Sequence, residues 1–333
     1  MKTVKWGIIS TADIGMKKVI PAMLKSPLIE VVGIASRSQE SADKAAKTLG
    51  IPKAYPSYAA MFEDPEIEAV YNPVPNHLHV ELTLAAAKAG KHVLCEKPIA
   101  LNADDAARLR EVPKGILVQE AFMVRYHPQW LRARDLVQSG ALGTIRAVRV
   151  LFCYNNTDPN NVRNMADIGG GGIMDIGCYG VTAARFMFGA EPLRVVSLLD
   201  RDPAFKTDRL GSFIADFGGG KHLNVLCSTQ SVTSQRLEII GDKGRLEILI
   251  PFNAPQSEAT AILIDNGLSL DGSMSRREVI PACDQYTLQC EAFSKAVRGE
   301  AKLEWGIEDS IKSMKVIDAI FESEKQGGWA KVG

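Results

Sequence analysis

The chain has 333 residues, more than one domain of ordinary size needs, so two domains are expected. Its 39 basic side chains are matched by 39 acidic ones, which argues against binding to nucleic acid or to a charged membrane surface. The sequence shows no secretory signal or membrane-spanning apolar segment, and the six cysteines lack C-x-x-C spacing, so a cytoplasmic protein with reduced thiols is predicted.

The first 120 residues alternate short apolar runs with helical patterns. Strands are predicted at residues 4–9, 29–36, 68–74, 91–97 and 116–120, and helices at residues 14–24, 38–49 and 77–89. Asn76 is the predicted N-cap of the third helix, and Gly50 and Gly90 suit helix ends. This alternation predicts βαβ units and a parallel sheet over residues 1–123.

The pattern changes after about residue 125. A helix ending at Gly140, a half-buried strand at 144–154 and a helix at 173–188 are predicted in turn. Two hairpins follow, with turns at 218–221 and 241–244, and then two helices, at 285–297 and 307–324. We therefore expect a second, α+β domain over residues 124–333, with an open, mostly antiparallel sheet and helices on one face.

The turn after the first strand reads STADIG, residues 10–15, and keeps only the last glycine of a G-x-G-x-x-G fingerprint. It nevertheless joins a strand to a helix, whose first N–H groups suit a pyrophosphate, and Ser10 and Ala12 are small enough for close approach. A dinucleotide turn and an ordinary strand–helix turn both remain open on this motif alone.

The second strand is followed by Ser36 and Arg37. An NAD-specific site usually has an acidic residue here, whereas a hydroxyl and a guanidinium suit a 2′-phosphate. NADP is therefore the predicted cofactor, with NAD possible. The alternative is that Arg37 is only a solvated loop charge.

The fourth strand ends in Glu96, Lys97 and Pro98. Ligands of parallel sheets bind at the carboxyl ends of the strands, so Lys97 is placed to donate a proton or to supply a local positive charge. A cis Lys97–Pro98 bond would be one way to aim that side chain.

This E-K-P run resembles a motif of the glucose–fructose oxidoreductase/inositol dehydrogenase (Gfo/Idh/MocA) family, and the resemblance covers almost the whole chain. The segments EAVYNPVPNHLHVELTLAAAKAGKHVLCEKP, QEAFMVRYHPQW, GGGGIMDIGCYGV and EIIGDKGRLEI are similar to blocks of that family in the same order. The resemblance implies an N-terminal Rossmann domain, a C-terminal α+β domain with an open sheet, a bound nicotinamide cofactor and frequent dimers through that sheet.

Many family members have a histidine four residues after the aspartate of the D-x-G motif, where this chain has Tyr179 after Asp175. The tyrosine resembles the branch of glucose–fructose oxidoreductase, dimeric dihydrodiol dehydrogenase and NADP-dependent xylose dehydrogenase, and puts inositol dehydrogenase activity in doubt. Tyr179 is the predicted general acid in reduction and general base in oxidation, because a nearby lysine would lower a phenol pKa from about 10. Lys97 would position the substrate oxygen, and Asp175 would hold a substrate hydroxyl or pair with Lys97. The alternative for Tyr179 is a core tyrosine.

The remaining predicted site residues leave alternatives open. Asn76 and His79 are each a cofactor contact or part of the first turn of a helix, and Arg163 binds substrate unless residues 154–164 are only a polar surface loop. Arg125 and His127 follow the fifth strand and could reach the substrate. The predicted cofactor-binding residues are Ser10, Thr11, Ala12, Asp13, Ile14, Ser36, Arg37, Val74, Pro75, Asn76, His79, Glu96 and Lys97, and the predicted substrate-binding residues are Arg125, Arg163, Asp175 and Tyr179.

Together these features predict an NADP(H)-dependent oxidoreductase that moves hydride between nicotinamide and an aldose or a related polyol or vicinal diol. Two alternatives are a trans-dihydrodiol or dicarbonyl dehydrogenase and, from another class, a non-catalytic NADP-binding regulator. No metal is expected, because no cluster of side chains has ligand spacing. The expected partners are a small-molecule substrate and a second copy of the chain, as a homodimer or a dimer of dimers.

Overall fold

The computed structural model describes residues 3–333, which form two compact units. The first unit contains the chain up to Met123 together with Asp284–Ile311, and the second contains Val124–Cys283 and Lys312–Gly333. Met1 and Lys2 lie outside the described residues. The predicted first domain and the N-terminal segment predicted to lack a secretory signal both include them. Among residues 3–333, no helix has the length and apolarity needed to cross a membrane.

The first unit is built on a six-stranded parallel sheet, whose order is β3-β2-β1-β4-β5-β6. Its strands are β1 (Val4–Ile9), β2 (Ile29–Ala35), β3 (Lys53–Tyr55), β4 (Ala69–Asn72), β5 (His92–Cys95) and β6 (Val118–Glu120). The five predicted strands are present. The edge strand β3 was not predicted, because its three residues are only partly buried and contain no apolar run.

Helices connect these strands. They are α1 (Ile20–Met23), preceded by a π-helical turn at Gly15–Val19, α2 (Gln39–Leu49), α3 (Tyr58–Phe62), α4 (His79–Lys88), preceded by a 3₁₀ turn at Asn76–Leu78, and α5 (Ala103–Ala107), followed by a 3₁₀ turn at Arg108–Glu111. Ser38 caps α2 by accepting from the N–H of Ser41. The prediction that Asn76 caps the next helix is wrong: Asn76 is itself in the 3₁₀ turn, and neither that turn nor α4 has a side-chain cap.

The second unit is built on a nine-stranded mixed sheet. A 3₁₀ turn (Met123–Tyr126) and α6 (Pro128–Gln138) precede its first strand in the chain. Two 3₁₀ turns (Val162–Asn164 and Ala166–Ile168), a π-helical turn (Ile173–Gly177) and α7 (Cys178–Phe188) follow that strand. The strands are β7 (Ile145–Asn155), β8 (Arg194–Arg201), β9 (Asp208–Asp216), β10 (His222–Ser228), β11 (Gln230–Gly241), β12 (Arg245–Ile248), β13 (Thr260–Asp265), β14 (Arg276–Ile280) and β15 (Ala330–Lys331).

This sheet has the order β14-β13-β12-β11-β7-β10-β9-β8-β15, and only β7 and β10 pair in parallel. Both predicted hairpins are confirmed, as β9–β10 and β11–β12. Helix α7 packs closely on the sheet at Gly180, where a Cβ would come within 2.6 Å of the Val225 side chain. The open, mostly antiparallel sheet that the sequence predicts is therefore present.

Two helices complete the chain, α8 (Gln285–Val297) and α9 (Ile307–Gln326). Helix α8 is predicted from the sequence to lie in the second domain, but its apolar face belongs to the core of the first unit. The Phe293 ring lies 5.6 Å from the Trp6 ring, and the indole N–H of Trp6 donates to Ser294 Oγ at 3.2 Å. Burial of these large side chains accounts for the correction, since a helix packs where its apolar stripe is covered.

Candidate active site

Ser10 takes the place of a fingerprint glycine in the turn after β1. Its φ is +75°, in the left-handed region that favours glycine. Two hydrogen bonds hold it there: its N–H donates to Ala35 O at 2.9 Å, and its Oγ accepts from the N–H of Ala12 at 3.3 Å. The serine side chain thus stabilises a backbone conformation for which the fingerprint ordinarily uses glycine.

A helix starts directly after this turn, as the bond from Met16 N–H to Ala12 O shows (3.0 Å). The first N–H groups of a helix have no partner within it, and they carry its positive dipole end. The carboxylate of Asp13 is exposed and pairs with Lys17 at 2.6 Å rather than with those N–H groups. The turn therefore fits a pyrophosphate in the way that the sequence analysis expects of residues 10–14.

Arg37 follows β2 and is exposed. Its backbone neighbour Ser36 is fixed by an N–H bond to Tyr55 O at 3.2 Å, and Ser38 is engaged in capping α2. Within the part of the chain that the structure describes, the Arg37 guanidinium has no hydrogen bond or ion pair. This cation, at the carboxyl end of a parallel strand, fits the 2′-phosphate of NADP.

Lys97 lies just past the end of β5, and its bond to Pro98 is cis. Glu96 beside it uses both carboxylate oxygens: Oε1 accepts from the Tyr71 hydroxyl at 2.6 Å, and Oε2 accepts from the Lys97 N–H at 3.3 Å. Complete burial raises the pKa of Tyr71 well above its ordinary value, so the phenol stays protonated and donates. Glu96 therefore orients the backbone of Lys97.

His79, a predicted cofactor contact, connects the loops after β4 and β5. The side chain is 1% exposed, and its Nε2 and Nδ1 each lie 2.7 Å from a carbonyl oxygen, of Val74 and Pro98 respectively. Burial lowers the pKa of His79 to about 4, and this effect outweighs the two carbonyl contacts, which raise it. Both ring nitrogens of His79 therefore face the protein backbone and link the two loops, and its contact with the cofactor stays a prediction.

These features share one edge of the first unit's sheet. Strands β1, β4 and β5 are parallel neighbours, so the Ser10 turn, the Val74–Pro75–Asn76 loop and Lys97 all follow carboxyl strand ends. Pro75 and Asn76 are partly exposed there. That edge is where α/β sheets of this kind bind ligands.

In the second unit, two donors meet on one oxygen of Asp175. The hydroxyl of Tyr154 lies 2.6 Å from Oδ2, and Nε of Arg163 lies 3.0 Å from the same atom. The negative charge of Asp175 raises the pKa of Arg163, and burial together with Asp175 raises that of Tyr154. Asp175 is therefore a fixed, charged acceptor, and the Arg163 side chain, 42% exposed, balances its charge.

Tyr179 lies about one helical turn after Asp175, in the first turn of α7, which continues directly from the π-helical turn. Its side chain is 5% exposed, and its ring lies 5.6 Å from that of Phe152 and 5.2 Å from that of Phe252. An electrostatic interaction links Tyr179 to Arg163. The predicted group of Asp175, Tyr179 and Arg163 is thus brought together, with an apolar wall around the tyrosine ring.

Two other candidates, Arg125 and His127, are buried in the second unit. His127 caps α6, since its Nδ1 accepts from the N–H of Gln129 at 3.1 Å, and its Nε2 lies 3.3 Å from Sγ of Cys283. Burial lowers the pKa of His127 to about 4. These contacts make His127 a structural residue, and Arg125, at 2% exposure, has little surface to offer a substrate.

Two residues near the site were not predicted. Tyr154 is the penultimate residue of strand β7, and only its position next to a polar loop indicated that its side chain is part of a polar cluster. Asp208 begins β9 and accepts from the N–H of Ile173 at 2.6 Å. Nothing local in the sequence indicates that contact, because it joins residues 35 positions apart.

A parallel sheet with a phosphate turn and a strand-end lysine, in one chain with an α+β unit that holds a tyrosine–carboxylate cluster, is typical of nicotinamide-dependent oxidoreductases. The comparisons with known proteins agree. Residues 4–115 match the oxidoreductase family model with an NAD-binding Rossmann fold, and residues 130–247 match the GFO/IDH/MocA C-terminal domain. The chain belongs to the GFO/IDH/MocA oxidoreductase family.

Individual relatives span nearly the full chain. A D-xylose 1-dehydrogenase (NADP(+)) of Haloferax volcanii is 37% identical over 97% of this chain and 98% of its own. A trans-1,2-dihydrobenzene-1,2-diol dehydrogenase of Bos taurus is 32% identical over 75% of this chain and 76% of its own. The crystal structure of KijD10, a 3-ketoreductase from Actinomadura kijaniata in complex with NADP and TDP-benzene, has a TM-score of 0.89 at 30% identity and covers 97% of this chain and 98% of that one.

Proposed function

We propose that this oxidoreductase uses NADP(H) and interconverts a carbinol and a carbonyl on an aldose or a related polyol or vicinal diol. The observation that carries the proposal is the shared strand-end edge of the first unit, which holds the Ser10 turn, the exposed Arg37 and Lys97. The NADP named for the xylose dehydrogenase and for the 3-ketoreductase structure supports the cofactor.

The second unit supplies the acid/base group in this proposal. When bound, NADP(H) supplies or accepts the hydride. In the oxidation direction Tyr179 takes the proton of the substrate hydroxyl, and in reduction it returns that proton to the carbonyl oxygen. Lys97 is proposed to hold the same substrate oxygen.

The proposed substrate is neutral and rich in hydroxyls. Asp175 and Arg163 cancel each other's charge, so the cluster has no net charge with which to select an ionic substrate. Both side chains can still hydrogen-bond hydroxyls: a carboxylate accepts, and a guanidinium donates. The polar segment 154–164 next to them adds amide side chains of the same kind.

A second candidate within the enzyme class is a dihydrodiol or dicarbonyl dehydrogenase. The aromatic wall formed by Phe152 and Phe252 around Tyr179 favours it, since such a wall suits a ring-bearing diol. The similarity to the bovine dihydrobenzenediol dehydrogenase points the same way.

A substrate panel tests the proposal. The purified chain is incubated with NADP or NAD and with aldoses, polyols and aromatic trans-diols, and absorbance at 340 nm is followed. Turnover with NADP and an aldose or polyol, lost in Tyr179→Phe while NADPH binding remains, is the expected result. Turnover confined to aromatic diols would favour the second candidate, and NADP binding without any turnover would favour a regulator.

We also propose that the chain forms a homodimer through the open sheet of the second unit. Three leucine and isoleucine side chains on neighbouring strands β8, β9 and β10 are exposed: Leu198 (77%), Ile214 (41%) and Leu226 (40%). They line a groove together with the pairs Arg149–Glu238 and Arg236–Glu247. An apolar face with charges of both signs is self-complementary, so a second copy is the occupant that it fits best.

The dimer is tested by light scattering on the size-exclusion eluate. Wild type is expected at twice the chain mass, and Leu198→Asp at the monomer mass. Leu268→Asp is the control, because that leucine is 75% exposed but does not line the groove. A monomeric wild type would end this proposal.

A further inference from the structure

Asp208 is a buried carboxylate that no part of the proposed chemistry uses. It opens strand β9, is 1% exposed, and directs Oδ2 to the N–H of Ile173 at 2.6 Å. Ile173 is the first residue of the π-helical turn that contains Asp175 and leads to Tyr179. A carboxylate at this place satisfies an N–H without a partner in the helix and faces the positive end of the helix dipole.

The backbone at the two glycines before this turn passes very close to the Asp208 side chain. A Cβ on Gly171 would lie 2.1 Å from Oδ1 of Asp208, and a Cβ on Gly172 would lie 3.2 Å from Oδ2. Gly171 also has a φ of +122°, which other residues rarely adopt. At position 171 only glycine lets the chain pass this close to the carboxylate, so Asp208 and the start of the helix form a single packed contact.

The same glycine connects Asp208 to both members of the charged pair. The N–H of Gly171 donates to the carbonyl of Arg163 at 2.9 Å, and the carbonyl of Gly171 accepts from the N–H of Asp175 at 3.0 Å. A shift of Gly171 would therefore move Arg163 and Asp175 against each other. Their Nε–Oδ2 distance of 3.0 Å leaves little tolerance for that movement.

We propose that Asp208 is a positioning residue for the reaction: its carboxylate fixes the start of the helix that carries Asp175 and Tyr179, and through Gly171 it fixes the register of Arg163. This rests on the proposed function, in which those three side chains act on the substrate. All of these residues lie in the second unit, and Asp208 is proposed to touch neither substrate nor cofactor.

The experiment compares kcat, KM and NADPH affinity in four variants with the best substrate of the panel. Asp208→Ala is expected to lower kcat at least tenfold with NADPH binding unchanged, and Asp208→Asn, which keeps one acceptor oxygen, is expected to recover part of the loss. Asp202→Ala is the control, because the Asp202 carboxylate likewise accepts from backbone N–H groups, but from those of Ala204 and Phe205 rather than that of Ile173. Its kcat should stay near that of wild type.

Gly172→Ala disturbs the same contact without changing Asp208. This variant tests the inference if Asp208→Ala does not fold. Its helical φ of −65° accepts alanine, while the new Cβ would lie 3.2 Å from both Oδ2 and the carbonyl oxygen of Asp208, so kcat is expected to fall here too. Normal kcat in both Gly172→Ala and Asp208→Asn, or an equal loss in Asp202→Ala, overturns the inference. Tyr179→Phe distinguishes a failure of the proposed function from a failure of the inference about Asp208. If this variant turns over like wild type, the proposed function fails, whatever the result at Asp208.

Discussion

The Tyr154 hydroxyl donates to Oδ2 of Asp175 at 2.6 Å, and this bond joins the end of strand β7 to the turn before Tyr179. Burial and the neighbouring carboxylate raise the pKa of Tyr154, so the phenol remains a donor throughout the physiological pH range. The bond keeps Asp175 oriented toward Arg163. Its removal should therefore affect turnover more than folding.

Tyr154→Phe deletes that donor while leaving the ring in place. A hydrogen bond to a charged group contributes about 1.5–3 kcal/mol, so kcat/KM is expected to fall roughly tenfold to a hundredfold. Steady-state kinetics measures the loss, and fluorescence titration with NADPH should show an unchanged Kd. A kcat/KM within twofold of wild type would show that Asp175 does not depend on Tyr154.

Arg37→Ala should distinguish the two nicotinamide cofactors. Loss of a guanidinium–phosphate contact is expected to weaken NADP binding about tenfold or more and to leave NAD binding nearly unchanged. Lys47→Ala, which removes an exposed cation near the end of α2, is the control. Equal weakening of NADP and NAD by Arg37→Ala would refute the 2′-phosphate assignment.

His79→Leu should loosen the loops after β4 and β5, because it removes an imidazole that lies against two buried carbonyls and, when neutral, donates to one of them. We expect a loss of about 1–3 kcal/mol in the free energy of unfolding and a lower kcat, since Lys97 lies in one of these loops. His79→Gln retains a donor and should lose less. His77→Leu, at an exposed position in the preceding turn, should change neither quantity.

His127→Asn should reduce the loss of stability on acidification. An unfolded histidine takes up a proton near pH 6.5, whereas burial lowers the pKa of His127 to about 4 in the folded chain. The unfolded state therefore binds more protons between these values, and the free energy of unfolding falls as pH decreases from about 6.5 to 4.

Asparagine also caps helices well, so this variant keeps the cap of α6 and removes the titration. Urea unfolding at pH 7.5 and pH 5 measures the difference. The decrease in unfolding free energy over that interval should be smaller in the variant, by on the order of 2 kcal/mol. An equal decrease in both proteins would exclude His127 as a source of acid sensitivity.

Phe293→Ala should destabilise the first unit, although residue 293 lies far along the chain. A fully buried phenylalanine replaced by alanine costs about 3–5 kcal/mol. Urea unfolding gives the free energy, and Phe293→Leu, which fills more of the space, should cost less. A loss below about 1 kcal/mol for Phe293→Ala would contradict the packing of α8 against Trp6.

Local patterns predicted the elements whose signal is contained within them. The apolar run of β1, the end of α2 at Gly50, and the two glycine-bearing hairpins all appear where the sequence placed them. Short or edge elements such as β3 and β15 were missed, since three or two residues cannot show a period. The cap at Asn76 was predicted wrongly because a 3₁₀ turn at Asn76–Leu78 delays the start of α4 from residue 77 to His79.

The residues of the candidate site also divide into those that sequence motifs predict and those that only the structure reveals. Lys97, Tyr179 and Asp175 were predicted from the order of motifs, and Arg37 from its position after a strand. The sequence alone therefore determined the family, the sheet with its strand-end ligand edge, and the types of chemical group available. These depend on residue identity and on spacing along the chain.

The tertiary structure alone decided which of those groups touch. Ser10 replaces a glycine because its side chain bonds within the turn, His79 faces two carbonyls, and Asp208 reaches Ile173 across 35 residues. Helix α8 returns to the first unit because Phe293 completes the core around Trp6. Such contacts arise when distant segments together bury apolar surface and satisfy buried polar groups. A local sequence pattern does not indicate which distant segment will be the packing partner.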